Sequence, residues 1–269
     1  MALHCETLGS GPAAVFVHGS FGWGLDTFPA QRELADIAEI VLVDRHGFGS
    51  TPDQGHAVLG WPLDAPAVVD VIQARSGAHL VGQSYGAVVS LLAASRRPDL
   101  IRSLVVIEPP LFGVASRHPA VARIDTALQP VVARALSLSA RDYLYAWAAG
   151  VMSRTPAQVD AWTASWGPAD WAAADASRRE RWPGDAPVDL AALRALDVPK
   201  VVVSGGWPQP GAAGPSPAGE AFRAVADALA ERIGAQRVEF AGSSHNPQLE
   251  EAEAFNRLLR STWAASVAA

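Results

Sequence analysis

The clearest chemical signal in this chain of 269 residues is Gly82-Gln83-Ser84-Tyr85-Gly86. An apolar run ends at Val81 just before it, and helical periodicity over 85–95 begins within it. A serine flanked by glycines two residues away on each side, on a strand-to-helix turn, is the G-x-S-x-G pattern of an exposed nucleophile. The turn is so tight that side chains at 82 and 86 would collide. Ser84 is driven into a strained conformation with its hydroxyl exposed, and the following helix N-terminus favours negative charge beside it. Gln83 and Tyr85 are then neighbours of the nucleophile.

A serine hydroxyl is a weak nucleophile and needs a base, oriented in turn by an acid. Of the seven histidines, His245 is the best placed. It follows the last predicted strand, in Gly242-Ser243-Ser244-His245-Asn246-Pro247, where the loop emerges at the carboxyl edge of the sheet. His79 begins the strand leading to Ser84 and so lies at its far end, His4 and His56 have no chemical context, and His18 reads as support for its own turn. For the acid, the segment after Val203 reads Ser204-Gly205-Gly206-Trp207-Pro208-Gln209, with no carboxylate until Glu220. One strand earlier, Val105-Val106-Ile107-Glu108-Pro109-Pro110 ends a strand on a glutamate, and the prolines impose an extended exit. Glu108 is therefore the expected orienting acid. The oxyanion needs preorganised donors, each worth about 2.7–4 kcal/mol in the transition state. The Tyr85 amide is one candidate. The other is the Ser20 amide, in His18-Gly19-Ser20-Phe21, with Phe21 as the alternative.

These residues need a frame that brings the ends of several strands together. β-Branched apolar runs at 13–17, 40–43, 79–81, 103–107, 200–203 and 237–240 read as buried strands. Helical periodicity lies between them, at 27–36, 61–74 and 85–95, and again at 218–233 and 247–264. The alternation predicts a mostly parallel α/β sheet flanked by helices. It breaks over 112–196, where helical stretches such as 120–138 and 156–166 occur without a convincing strand. We expect a core over 1–111 and 197–269 and a helical cap over 112–196, inserted after the strand ending near Ile107. The cap carries five of the nine tryptophans, Trp147, Trp162, Trp166, Trp171 and Trp182, and Trp162 and Trp166 would share a helix face. These rings either pack the cap onto the sheet or line an apolar pocket. Phe21, Trp147, Trp166 and Trp207 are the expected substrate contacts. The Gly- and Pro-rich segment 205–219 reads as an irregular loop bordering the site.

Composition narrows the classes. The net charge is −6 and the pI is near 5.6, which offers no basic footprint for nucleic acid. The hydrophobic fraction of 49% and charged fraction of 18% suit a compact globule, and the chain is long enough for a full core without covalent staples. A single cysteine, Cys5, forms no internal disulfide. No apolar window is long enough for a membrane span, and no basic leader precedes an apolar stretch. The expectation is a cytoplasmic protein acting on a small molecule, with no nucleic-acid or membrane partner, no metal and no cofactor. Its oligomeric state is not legible.

Together, Val17-His18-Gly19, Asp44-Arg45-His46-Gly47-Phe48-Gly49-Ser50, the Ser84 motif and Ser244-His245 make the chain resemble the α/β-hydrolases with a helical cap. The order Ser84, Glu108, His245 agrees with the Ser, Asp/Glu, His order of that family. In most relatives of this kind the acid follows the strand corresponding to 200–203. The resemblance thus implies a serine hydrolase whose acid has moved to the strand before the cap, similar in that respect to zearalenone-lactone hydrolases. It implies hydrolysis of a moderately hydrophobic ester or lactone. Lyases, perhydrolases and carbon–carbon bond hydrolases of the fold keep the same three residue types, and a small-molecule receptor is the non-catalytic alternative. Epoxide hydrolases and haloalkane dehalogenases use an aspartate where this chain has Ser84. A dinucleotide site built on Gly19, Gly22, Gly24 and Asp44 has superficially suitable spacing. Reductases with such turns commonly need a Tyr and a Lys four residues apart, and Leu196 stands four residues before the sole lysine, Lys200.

Overall fold

The computed structural model describes residues 2–209 and 216–266. The apolar runs form strands β1 (His4–Leu8), β2 (Ala13–Val17), β3 (Glu39–Asp44), β4 (Ala78–Gln83), β5 (Ile101–Ile107), β6 (Lys200–Gly205) and β7 (Gln236–Phe240). Their order across the sheet is β1-β3-β2-β4-β5-β6-β7. β1 pairs antiparallel with β3, and the other neighbours are parallel. The fold is that of an α/β hydrolase, and β4 stands at the centre of the sheet. Parallel neighbours share one direction, so the chain leaves β2, β4, β5, β6 and β7 at the same edge.

The helices are α1 (Gly24–Thr27), α2 (Trp61–Gln73), α3 (Tyr85–Arg96), α4 (Pro119–Arg134), α5 (Ala140–Met152), α6 (Pro156–Trp162), α7 (Pro168–Arg178), α8 (Leu190–Ala195), α9 (Pro217–Ile233), α10 (Pro247–Glu250) and α11 (Ala252–Ala265). Side chains alternate across the strands, so one strand feeds two cores. Val15 and Val17 of β2 join the layer beneath α2, α3 and α9. Ala14 and Phe16 join Phe255, Leu259 and Trp263 of α11 on the other face. Between β5 and β6 the described chain forms helices α4 to α8 and short 3-10 turns, with an isolated bridge from Glu180 to Leu59. No helix among the described residues is long and apolar enough to cross a membrane.

The structure departs from the periodicity in several places. β1 has no apolar run, because it is an edge strand of mixed exposure. The helix expected over 27–36 is a 3-10 helix, Pro29–Asp36, preceded by the single turn of α1. Pro29 disfavours α geometry at Phe28, whose φ and ψ are −128° and 43°. The stretch 120–138 is α4 followed by a 3-10 turn, Ala135–Ser137. The stretch 247–264 breaks at Glu251, also outside helical geometry. Of the irregular segment expected over 205–219, Gly205 belongs to β6 and Pro217 begins α9, while 210–215 lie outside the described residues.

Candidate active site

The central strand delivers Ser84 at the shared edge. Its φ and ψ are 51° and −121°, a strained backbone for a residue with a side chain. The amide of Ser84 donates to the Ile107 carbonyl at 2.8 Å, which ties the turn to β5. The flanking glycines are obligatory on contact grounds. A Cβ on Gly82 would lie 2.5 Å from the Gly86 carbonyl oxygen, and one on Gly86 would lie 2.1 Å from that of Val17.

Glu108 leaves β5 with φ 51°, its amide donating to the Val203 carbonyl at 2.9 Å. The side chain is wholly buried, and His245 is partly exposed, at 18%. Nδ1 of His245 lies 3.1 Å from Oε2 of Glu108. With Nδ1 as the donor to that carboxylate, Nε2 is left as the acceptor of the ring. Glu108 also accepts from the Gly205 amide at 2.8 Å and from the Trp207 indole N–H at 3.2 Å. The last residue of β6 and Trp207 just beyond it thus each supply a donor to the carboxylate that ends the neighbouring strand. The imidazole sits beside the rings of Phe222 and Trp207, with centroids 5.0 and 5.7 Å away. Its loop is fastened by Glu250, which accepts from the amides of Ser244 and Asn246 at 2.9 and 3.1 Å. Gln83 Nε2 donates to Asn246 Oδ1 at 3.1 Å, so this neighbour of the serine also ties the histidine loop to the turn. Among the described residues no hydrogen bond joins Ser84 Oγ to His245.

On the other side of β4, the loop after β2 brings Ser20 and Phe21 beside the turn. Among the described residues the amides of Ser20 and Tyr85 make no hydrogen bond, whereas the Phe21 amide donates to Ser177 Oγ at 2.8 Å. The N–H of Phe21, the alternative second donor, is thus engaged within the last turn of α7, whereas that of Ser20 is not engaged among the described residues. His18 is wholly buried. Its Nε2 accepts the Arg45 amide at 3.0 Å, and its Nδ1 lies 2.7 Å from the Gly19 carbonyl. Burial, reinforced by the Arg45 charge, pushes its pKa well below the ordinary value, which leaves it neutral and structural. Asp44 accepts from the amides of Gly24 and Ser50 at 2.9 Å each, and its Oδ2 also lies 3.0 Å from His4 Nδ1.

A cavity of about 340 Å³ is lined by both Ser84 and His245. Phe21, Trp147, Trp166 and Trp207 all line it, as do Trp162 and Trp182, while Trp171 packs behind Trp166 with centroids 5.1 Å apart. Trp166 lies beyond the end of α6 rather than on it, and reaches Trp162 edge to face at 5.4 Å. The wall is less apolar than the cap composition suggests, because Asp26, Asp170, Glu180 and Arg181 also contribute. Burial, helped by repulsion from Asp170, raises the carboxyl pKa of Asp26. Sequence reasoning missed Glu180 and its pairing with Arg45, which it named only as part of a motif. Their positions, 135 residues apart, carry no local pattern that links them. Among the described residues no group of three or more potential ligands is arranged to hold a metal ion.

The comparisons with known proteins agree on the fold. Residues 14–258 match the alpha/beta hydrolase family. A 2-(acetamidomethylene)succinate hydrolase of Mesorhizobium japonicum is 34% identical over 110 residues, 40% of this chain and 39% of that protein. A pimeloyl-[acyl-carrier protein] methyl ester esterase of Chromobacterium violaceum is 32% identical over 168 residues, 54% of this chain and 63% of that protein. The chain thus matches 39% and 63% of the length of these curated relatives. Among solved structures, an alpha/beta hydrolase from Sphaerobacter thermophilus superposes with a TM-score of 0.64 at 25% identity, covering 96% of each chain.

Proposed function

The chain belongs to the alpha/beta hydrolase family, and from that premise we propose that it is a serine hydrolase of moderately hydrophobic carboxylic esters or lactones. The observation that carries the proposal is the buried Glu108 carboxylate on His245 Nδ1, with Ser84 and His245 in the wall of one cavity. In this reading Ser84 Oγ attacks the ester carbonyl and its proton passes to His245 Nε2. Glu108 accepts a hydrogen bond from Nδ1–H, stays ionised, and balances the imidazolium that forms. It is suited to that task because its other partners are neutral N–H donors, so no resident cation competes for its charge. The amides of Ser20 and Tyr85 hold the oxyanion. Collapse expels the alkoxide, which takes the proton from His245, and water activated by the same imidazole releases the acid. No step calls on a metal or cofactor.

The cap over 112–196 is the cover of this site, and its tryptophans with Phe21 and Trp207 contact the acyl or alcohol portion. Of the two relatives, the methyl ester esterase is in keeping with this chemistry, and the 2-(acetamidomethylene)succinate hydrolase is a second hydrolase of a small carboxylic substrate. The test is a fluorophosphonate probe beside a panel of p-nitrophenyl esters and lactones of graded size. Stoichiometric labelling at Ser84 is expected, with turnover that Ser84→Ala abolishes. A folded protein that neither labels nor turns over any member would overturn the reading and favour a receptor.

A further inference from the structure

Outside the proposed chemistry, Glu180 is the most enclosed charged group in the cavity wall. It follows α7, its side chain is 5% exposed, and its Oε1 lies 2.7 Å from Nη1 of Arg45. Its Oε2 accepts the hydroxyl hydrogen of Ser20. Arg45 is wholly buried, and donates from Nε to the His18 carbonyl at 2.9 Å and from Nη2 to the Gly19 carbonyl at 2.8 Å. These carbonyls belong to the turn that presents the Ser20 amide. On its far side Arg45 meets Asp64 at 3.1 Å, which also takes the ring nitrogen of His46 at 2.8 Å.

The chain around Glu180 holds the other side of the site as well. Ser177 Oγ accepts the Phe21 amide, and the Arg181 carbonyl accepts the Tyr85 hydroxyl at 2.7 Å. Leu59 anchors the segment, donating to the Arg179 carbonyl at 2.8 Å and accepting from the Arg181 amide at 3.0 Å. A short piece of chain from between β5 and β6 therefore touches both residues whose amides are expected to stabilise the oxyanion. A carboxylate beside a developing oxyanion would oppose it electrostatically. Its contact with Arg45 offsets that charge, and its second oxygen is committed to Ser20.

We propose that Glu180 is a positioning residue for the oxyanion hole: it holds Ser20 by the hydroxyl and Arg45 by the guanidinium, and so sets the direction of the Ser20 amide. The proposal rests on the serine-hydrolase reading. Oxyanion donors act only when aimed in advance at the developing charge. A misplacement of about 1 Å can cost about 100-fold in rate.

The test compares Ser20→Ala, Glu180→Ala and the double variant, on an ester that the wild type turns over and on a trifluoromethyl ketone. With the ketone, Ser84 Oγ bonds to the carbonyl carbon, its proton passes to His245, and the carbonyl oxygen becomes the oxyanion. Ser20→Ala removes the hydroxyl but leaves the amide and the Arg45 contacts. We expect kcat to fall roughly 10-fold in Ser20→Ala and about 100-fold in Glu180→Ala. KM should stay within about 2-fold, and ketone affinity should fall in step with kcat. The double variant should be no slower than Glu180→Ala, since the one contact that Ser20→Ala removes is already lost there. Independent, multiplying losses would overturn the proposal, as would a rise in KM with kcat and ketone affinity unchanged. Should Glu180→Ala fail to fold, Ser20→Ala against the ketone decides alone. Failure of Ser84 to label sinks the functional reading, whereas labelled Ser84 with wild-type kcat in Ser20→Ala sinks only this inference.

Discussion

Two buried glutamates flank the serine turn, and they are held in opposite ways. Glu108 ends a strand of the sheet, lies behind His245, and is surrounded by an amide, an indole N–H and the imidazole. Glu180 hangs from the helical segment, faces the cavity, and is matched to the Arg45 guanidinium. Burial pushes the Glu180 carboxyl pKa upward, and the Arg45 charge works against that rise. The difference teaches that burial alone does not assign a role. A carboxylate whose partners are neutral donors keeps its charge free to stabilise an imidazolium, whereas one already matched to a guanidinium joins two parts of the chain.

That contrast can be broken most sharply at Glu108. Glu108→Gln keeps the size but loses the charge opposite His245, and kcat should fall about 10³–10⁴-fold with the melting temperature little changed. Unchanged turnover would transfer the orienting role to another carboxylate. The next largest effect belongs to the architectural partner. Arg45→Met strands both Glu180 and Asp64, so chemical denaturation should show a loss of about 3–5 kcal/mol. Arg141 on α5 is also paired, to Asp160 at 2.8 Å, but both side chains are more than half exposed. Arg141→Ala should therefore change stability by no more than about 0.5 kcal/mol, and equal losses in the two variants would erase the distinction.

An effect confined to a pH window lies at the opposite end of β4. His79 is buried, with Nδ1 2.9 Å from Ser103 Oγ and its ring stacked on Trp263 at 5.1 Å. Burial, helped by the Arg102 charge, lowers its pKa to about 4. Between the ordinary histidine value and that lowered one, the unfolded chain takes up a proton that the folded chain refuses. The stabilisation is fully present above about pH 6.5 and is lost as pH falls towards 4, by up to about 3 kcal/mol. Denaturation curves of His79→Gln should flatten across this window, while turnover per folded molecule should match the wild type. A slope unchanged by the substitution would mean that other groups carry the acid sensitivity.

Much of the frame was legible because its signals are local. β2 runs over the residues its apolar run marks, the helix after Ser84 starts where the motif requires, and the glycines at 82 and 86 meet backbone that no side chain could share. The placing of Glu108 at a strand end beside the His245 loop was legible too, from a carboxylate closing one strand and its lack after the next. Trp207 was legible only in part. The cavity position agrees with a ring near the substrate, but its indole N–H also bonds to Glu108, and no spacing rule joins residues 99 positions apart. β1 was not legible, because an edge strand with one partner needs no buried apolar run.

The amino-acid sequence by itself determined the strand-and-helix alternation, the strained turn at Ser84 and the residue types beside it. Each depends on sterics and hydrophobic spacing within a few neighbours. Tertiary structure alone decided that Gly205 and Trp207 donate to Glu108, that Ser177 takes the Phe21 amide, and that Glu180 reaches both Ser20 and Arg45. Those contacts join segments far apart in the chain. Their partners are chosen by the packing of whole helices against the sheet edge, which no short-range pattern encodes.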